Sequence, residues 1–202
     1  MNERNQETRL SPHAGDALLI VDVQCDFLPG GALGVPDGDA VVPVLNRYLD
    51  LFRNRPVIFS RDWHPENHVS FRPQGGPWPA HCIAGSAGAA FAPGLEVPAS
   101  AFVISKATEP GANTYSAFDH TGLADWLRQR DCTRLFVGGL ATDYCVRASV
   151  LDALAAGFAV VLLTDAIRAV NALPEDGERA VQQMQAAGAL CATLAQFGGK
   201  PS

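Results

Sequence analysis

The sequence predicts an α/β protein with a central, mainly parallel six-stranded sheet. Three observations carry that expectation. Six short runs are almost continuously apolar and rich in Val, Ile, Leu and Phe, the pattern of strands covered on both faces. Helix-like segments with start and stop signals alternate with them. No internal repeat and no interdomain linker interrupts the 202 residues, which suit one domain over 17–198.

The runs are ALLIVDV (17–23), PVIFSRD (56–62), AFVISKA (101–107), RLFVGGL (134–140), AVVLLTD (159–165) and ALCATLA (189–195). Between the first two, Asp39 is placed to cap a helix running to about Asn54. Thr121 is placed to cap one carrying Leu123, Trp126 and Leu127 on a single side. Thr142 or Asp143 can cap a third that stops at Gly157, and Pro174 opens a fourth that stops near Gly188. The stretch from His64 to Pro98 is long, rich in Gly, Pro and Ala, and without periodicity. Long loops in compact domains are commonly lids or binding loops.

Composition excludes several classes. The net charge of −6 disfavours a nucleic-acid partner, because phosphate binding requires a basic face. No apolar run reaches the roughly 18–20 residues needed to cross a bilayer. The first sixteen residues are polar, carry both charge signs and lack the apolar stretch of a signal peptide, so a flexible tail is expected there. The five cysteines are odd in number and form no CxxC pair, which favours a reducing cytoplasm over a disulfide framework. Charged residues make up only 18%, compatible with surface buried in a homo-oligomer.

Ligands of open α/β sheets bind beyond the carboxyl ends of the strands. Asp22, Asp62 and Lys106 fall at or near the ends of the first three runs, and Cys145 follows the fourth by a short turn. At the start of a helix, Cys145 gains from the partial positive charge there, which favours thiolate. Lys106 at a buried strand end needs a charge partner, and Asp22 is a candidate. Asp22 can also take a thiol proton and return it to a leaving amine. The ordinary alternatives are a buried apolar cysteine, a turn-capping aspartate and a solvated lysine. A second group is Asp62, His64, His68 and His81. Residues two apart at a strand end share a side, so Asp62 and His64 can hold one ion, with His68 or His81 completing the set. Two imidazoles and a carboxylate suit zinc, iron or manganese. Phe27, Trp78 and Tyr115 lie near these motifs and could sandwich a flat heterocycle, or simply pack.

The segments LLIVDVQCDFLPGGAL, SRDWHPENHVSF, WPAHCIAGSAGAAF, VISKA, TYSAF and GLATDYCVRASVLDALAAGF together resemble the nicotinamidase branch of the isochorismatase-like cysteine hydrolases. The resemblance implies a three-layer α/β/α fold with sheet order 3-2-1-4-5-6. It implies a Cys145–Asp22–Lys106 triad and a cis peptide between Leu140 and Ala141, with the N–H groups of Ala141 and Cys145 as the oxyanion hole. It implies a divalent metal, most commonly Zn2+, with Fe2+ or Mn2+ as alternatives, on Asp62, His64 and His81, joined by His68 in some members. Phe27, Trp78 and Tyr115 match positions around the substrate ring. The implied reaction is hydrolysis of nicotinamide, and plausibly pyrazinamide, to the acid and ammonia. Three rivals stand beside it. One is an amidohydrolase acting on carbamoyl or ureido substrates, which needs no histidine set. Another is a vinyl-ether hydrolase, which needs no Cys145. The third is a metal or redox sensor, which leaves Asp22 and Lys106 without purpose.

Overall fold

The computed structural model describes residues 10–197. Six strands, β1 (Asp16–Val21), β2 (Val57–Asp62), β3 (Phe102–Lys106), β4 (Arg134–Leu140), β5 (Ala159–Arg168) and β6 (Leu190–Ala192), form one sheet in the order β3-β2-β1-β4-β5-β6. All five neighbouring pairs are parallel, so the expected mainly parallel sheet is parallel throughout. The strand order reverses between β1 and β4, and the crevice at such a reversal is where doubly wound sheets bind ligands.

The strands β1, β4 and β5 divide their apolar residues between two cores, as a period of two requires. Leu18, Ile20, Phe136, Val161 and Leu163 face one side. Helix α1 (Val41–Leu51) covers that side with Val41, Leu45, Tyr48 and Leu49. Leu19, Val21, Leu135, Val137 and Leu162 face the other, under α2 (Leu123–Arg128), α3 (Arg147–Ala155) and α4 (Asp176–Ala186). The result is the three-layer α/β/α arrangement. At the far edge, Arg134 grips Asp16 with two bonds of 2.8 and 2.7 Å, pinning the β1–β4 register where both strands begin. Among the described residues, no helix is long and apolar enough to cross a membrane.

Several local expectations change. Within the span of the expected tail, the Leu10 N–H donates to the Gln196 carbonyl at 2.7 Å and β1 starts at Asp16. Residues 1–9 and 198–202, with the rest of that tail and the last residue of the expected domain, lie outside the described residues. Asp39 caps nothing: it sits inside a 3-10 turn, Gly38–Ala40, that runs straight into α1. Thr121 does meet the start of α2, accepting the Leu123 N–H at 3.3 Å. The segment after β4 begins as a π turn over Thr142–Val146 and becomes α-helical only at Arg147. Neither Thr142 nor Asp143 caps it, and Gly157 closes α3 with φ +91°.

Candidate active site

The carboxyl ends of four adjacent strands, β3, β2, β1 and β4, converge as their order in the sheet dictates. Asp22 follows β1 directly, Asp62 and Lys106 end β2 and β3, and Cys145 lies in the π turn after β4. Asp62 and Lys106 are paired in register, so their side chains leave the sheet edge together. Gly139 allows the approach from β4. Its φ is +120°, and a Cβ there would overlap the Val21 backbone, so only glycine lets β4 press against β1 at this point. A break in the β4–β5 register at the same place re-aims the chain toward Ala141. The Leu140–Ala141 peptide is cis.

Lys106 is the hub of this edge. Its Nζ lies 3.0 Å from Asp22 Oδ2 and 3.5 Å from Cys145 Sγ, and it donates a short hydrogen bond to Asp62 Oδ1. Its side chain is fully buried, as is that of Asp22. The expected Lys106–Asp22 pair is present, with Asp62 as a second partner. Burial works against the Lys106 ammonium, but the two carboxylates outweigh it and hold it protonated, well above the ordinary lysine range. Burial pushes the Asp22 carboxyl up despite Lys106 and a Ser60 hydrogen bond. Burial opposes ionisation of Asp62 too, yet Lys106 and His64 together keep its carboxyl below the usual range. The Cys145 thiol is pushed well above its ordinary value by burial, which Lys106 offsets only in part.

Asp62, His64 and His81 offer ligand atoms that all lie within 4.8 Å of one another. The histidines are preset for an ion. His64 Nδ1 faces the Ala107 carbonyl at 3.3 Å and His81 Nδ1 faces the Pro79 carbonyl at 2.8 Å. A ring nitrogen facing a carbonyl is a donor, so Nε2 of each ring keeps its lone pair. Among the described residues His64 Nε2 is buried without a hydrogen-bond partner, 3.5 Å from Asp62 Oδ2, an omission that a bound cation repairs. His68 differs. Its Nε2 donates to the Ala112 carbonyl at 3.0 Å and its Nδ1 bonds the Ser70 hydroxyl at 2.7 Å. It packs on His64, ring centroids 4.2 Å apart. The three donors that cluster are Asp62, His64 and His81, and His68 stands beside them.

One cavity of about 410 Å³, its open mouth included, joins these groups. Cys145 and Ala141 line one part of it, and Asp62 and His81 another. Phe27, Trp78, Tyr115 and Tyr144 give aromatic walls, while Leu33, Val35 and Val170 close it with aliphatic groups. Trp78 is fixed from two directions. Its indole N–H donates to the Tyr115 hydroxyl at 3.1 Å, and its ring meets Tyr144 edge-on at 5.3 Å.

Comparison with known proteins agrees with this geometry. Residues 16–196 match the isochorismatase domain as a family. The chain belongs to the isochorismatase family. A nicotinamidase of Escherichia coli (strain K12) is 45% identical to this isochorismatase-family chain over 204 residues, covering 90% of it and 96% of the relative. A crystal structure of the pyrazinamidase of Pyrococcus horikoshii in complex with zinc superposes with a TM-score of 0.85 at 48% identity, covering 89% of this chain and 99% of that one. The structure of PnC1 from L. infantum in complex with nicotinate gives a TM-score of 0.87 at 38% identity, covering 93% and 98%.

The isochorismatase-family site also uses residues that sequence reasoning missed. Ser60 donates to Asp22 Oδ1 at 2.6 Å and its carbonyl accepts the Asp22 N–H at 3.2 Å, holding an aspartate whose φ is +48°. Gln24 clamps the Asp62 backbone, accepting its N–H and donating to its carbonyl, both at 2.8 Å. Asp26 accepts the Cys82 N–H at 2.7 Å and so anchors the segment carrying His81. Phe71 packs its ring against His64, His68 and His81 at 5.4–5.6 Å. Ser60 and Gln24 each stand two residues from a candidate aspartate, the spacing that shares a strand face, so that signal was available.

Burial lowers the proton affinity of His68 and His81 from the ordinary 6.5, which keeps both rings neutral. The sign follows by linkage. Below 6.5 the unfolded imidazoles take up protons that the folded ones refuse, so falling pH favours unfolding. The ion-free protein is expected to be fully stabilised by these rings above 6.5 and to lose that contribution progressively below it. Urea midpoints of chelated protein at pH 5 and pH 7 measure this; an unchanged or higher midpoint at pH 5 contradicts it.

Proposed function

We propose that this chain hydrolyses nicotinamide to nicotinate and ammonia through a thioester on Cys145, and accepts pyrazinamide as a second flat heteroaromatic carboxamide. The observation that carries the reading is the single cavity holding a cysteine and a cis-linked turn on one side, an ion-ligand group on the other and aromatic walls between. The nicotinamidase and pyrazinamidase relatives support the same substrate.

The ring lies between Phe27 and Trp78, with Tyr115 beside it, and its carboxamide faces Cys145. Asp22 Oδ2 accepts the thiol proton as sulfur attacks the carboxamide carbon. That transfer turns thiol and carboxylate into thiolate and carboxylic acid at constant net charge. Lys106 contacts both partners and so steadies either state. The N–H groups of Ala141 and Cys145 receive the oxyanion. Asp22 passes its proton to the departing nitrogen, and ammonia leaves a nicotinoyl thioester. Asp22 then deprotonates a water that attacks the thioester carbonyl, and nicotinate departs as the proton returns to sulfur. A divalent ion on Asp62, His64 and His81, with zinc well suited to that donor set and iron or manganese as alternatives, supplies a Lewis-acidic anchor for the ring nitrogen. The five cysteines are all free thiols, which supports the expected cytoplasmic setting.

The rival with a specific claim is a carbamoyl or ureido amidohydrolase, which shares the triad but gives the histidine pair no task. Ammonia release from nicotinamide, pyrazinamide and an N-carbamoyl amino acid separates them. Turnover of the two aromatic amides alone is the expected result, and turnover of the carbamoyl compound alone would transfer the assignment to the rival. Ser60→Ala should lower kcat on nicotinamide by about tenfold or more, since a buried carboxylate oxygen loses its donor; an unchanged kcat would remove Ser60 from the account.

A further inference from the structure

Asp143 stands two residues before the nucleophile and is buried to 4% exposure, yet it touches none of the reacting groups described above. A carboxylate in that position needs donors. It finds two consecutive backbone N–H groups: Oδ1 accepts from Val170 and Oδ2 from Asn171, each at 2.9 Å. Val170 is part of the aliphatic wall of the cavity. The neighbouring Asn171 has φ +51°, and its own Oδ1 accepts the Gly177 N–H at 2.8 Å near the start of α4. Gly177 packs so close that an added Cβ would fall 2.6 Å from that of Ala169. The segment after β5 is therefore held at one end by the nucleophile turn and at the other by α4.

We infer that Asp143 is a specificity-determining positioning residue, which sets the distance between the Cys145 turn and the Val170 wall and so limits the substrate to a small unsubstituted heteroaromatic ring. The physical basis is that both oxygens are committed to one loop. Charge-assisted bonds to two N–H groups are stronger than neutral ones and allow one loop position only. Cys145 and the wall facing it then share one anchor, so the gap between them cannot widen to take a bulkier ring without breaking both bonds. An asparagine at 143 can accept from one N–H but must direct its own NH2 at the other, which releases the wall while leaving the chain isosteric.

The inference rests on the nicotinamide reading for its substrate and on the structure alone for its clamp, and the test separates the two. The variants are Asp143→Asn and, from the other end of the loop, Asn171→Gly, where glycine tolerates the positive φ but loses the bond to Gly177. For each, kcat/KM is measured on nicotinamide and on 5- and 6-methylnicotinamide. A methyl group against a tight apolar wall costs about 10–200-fold in discrimination. Both variants should raise KM for nicotinamide and should narrow the preference over at least one methylated ring by about tenfold. That ratio is independent of how much enzyme is folded or how well Cys145 reacts, so a merely structural role would leave it unmoved. Unchanged ratios on both analogues in either folded variant overturn the inference. Absence of wild-type turnover on nicotinamide would sink the substrate reading instead. The clamp is then read by amide hydrogen exchange at Val170 and Asn171, which should quicken by about 100-fold or more in Asp143→Asn; equal exchange in wild type and variant overturns it.

Discussion

Cys145→Ala is expected to abolish ammonia release from nicotinamide, by about 10⁴-fold or more, while leaving the fold and the ion intact. The change removes one sulfur from a buried position beside Lys106 and Asp22 and leaves both of those side chains in place. Stability should therefore fall little. Ammonia assays, thermal melting and metal content of the two proteins check the three parts together. Melting and metal content within error of wild type, with turnover gone, is the expected pattern. Turnover within tenfold of wild type would mean that water attacks the amide without a covalent step, and the ion group would become the centre of the chemistry.

Lys106→Met is expected to damage both activity and stability. The ammonium sits between two buried carboxylates, Asp22 and Asp62, and bonds or faces both. Removing it leaves two like charges in a dry site, and breaking a buried pair in this way costs about 3–5 kcal/mol. Turnover should fall by at least about 10²–10³, the usual effect of losing one charge-stabilising group. The pH dependence has a definite sign. Without Lys106 the Asp22 carboxyl, already raised by burial, rises further. The folded variant then binds a proton that the unfolded chain releases above about 4. Its stability should grow as pH falls from 7 toward 5, and urea midpoints at those values measure it. A variant as stable as wild type at pH 7 would show that Asp22 and Asp62 do not both depend on this lysine.

Much of the framework was legible because it follows from local pattern. Apolar runs mark all six strands, most clearly β1 and β4, which the two helix layers cover on both faces. The reactive groups were found by asking which of them end those runs. What stayed hidden depends on partners distant in sequence. Ser60 and Asp22 meet across β1 and β2, and Asp143 reaches a loop 27 residues away. The Ala112 carbonyl that His68 bonds, 44 residues away, is visible only once the loops have folded together. A helix start can be read from sequence, but the burial of Cys145 beside Lys106 cannot. Asp39 misled because a capping residue type preceded the helix, while the chain enters α1 through a 3-10 turn already in helical geometry.

The central claim is that carboxamide carbon becomes bonded to Cys145. The most direct measurement is acid-quenched peptide mass spectrometry after rapid mixing of the protein with excess nicotinamide. The account predicts that the peptide containing Cys145 gains the mass of one nicotinoyl group in place of a hydrogen, that the adduct vanishes as substrate is exhausted, and that alkylating Cys145 beforehand stops nicotinate formation. Nicotinate formed at the full rate by the alkylated protein, with no acyl group on that peptide at any time, would contradict it.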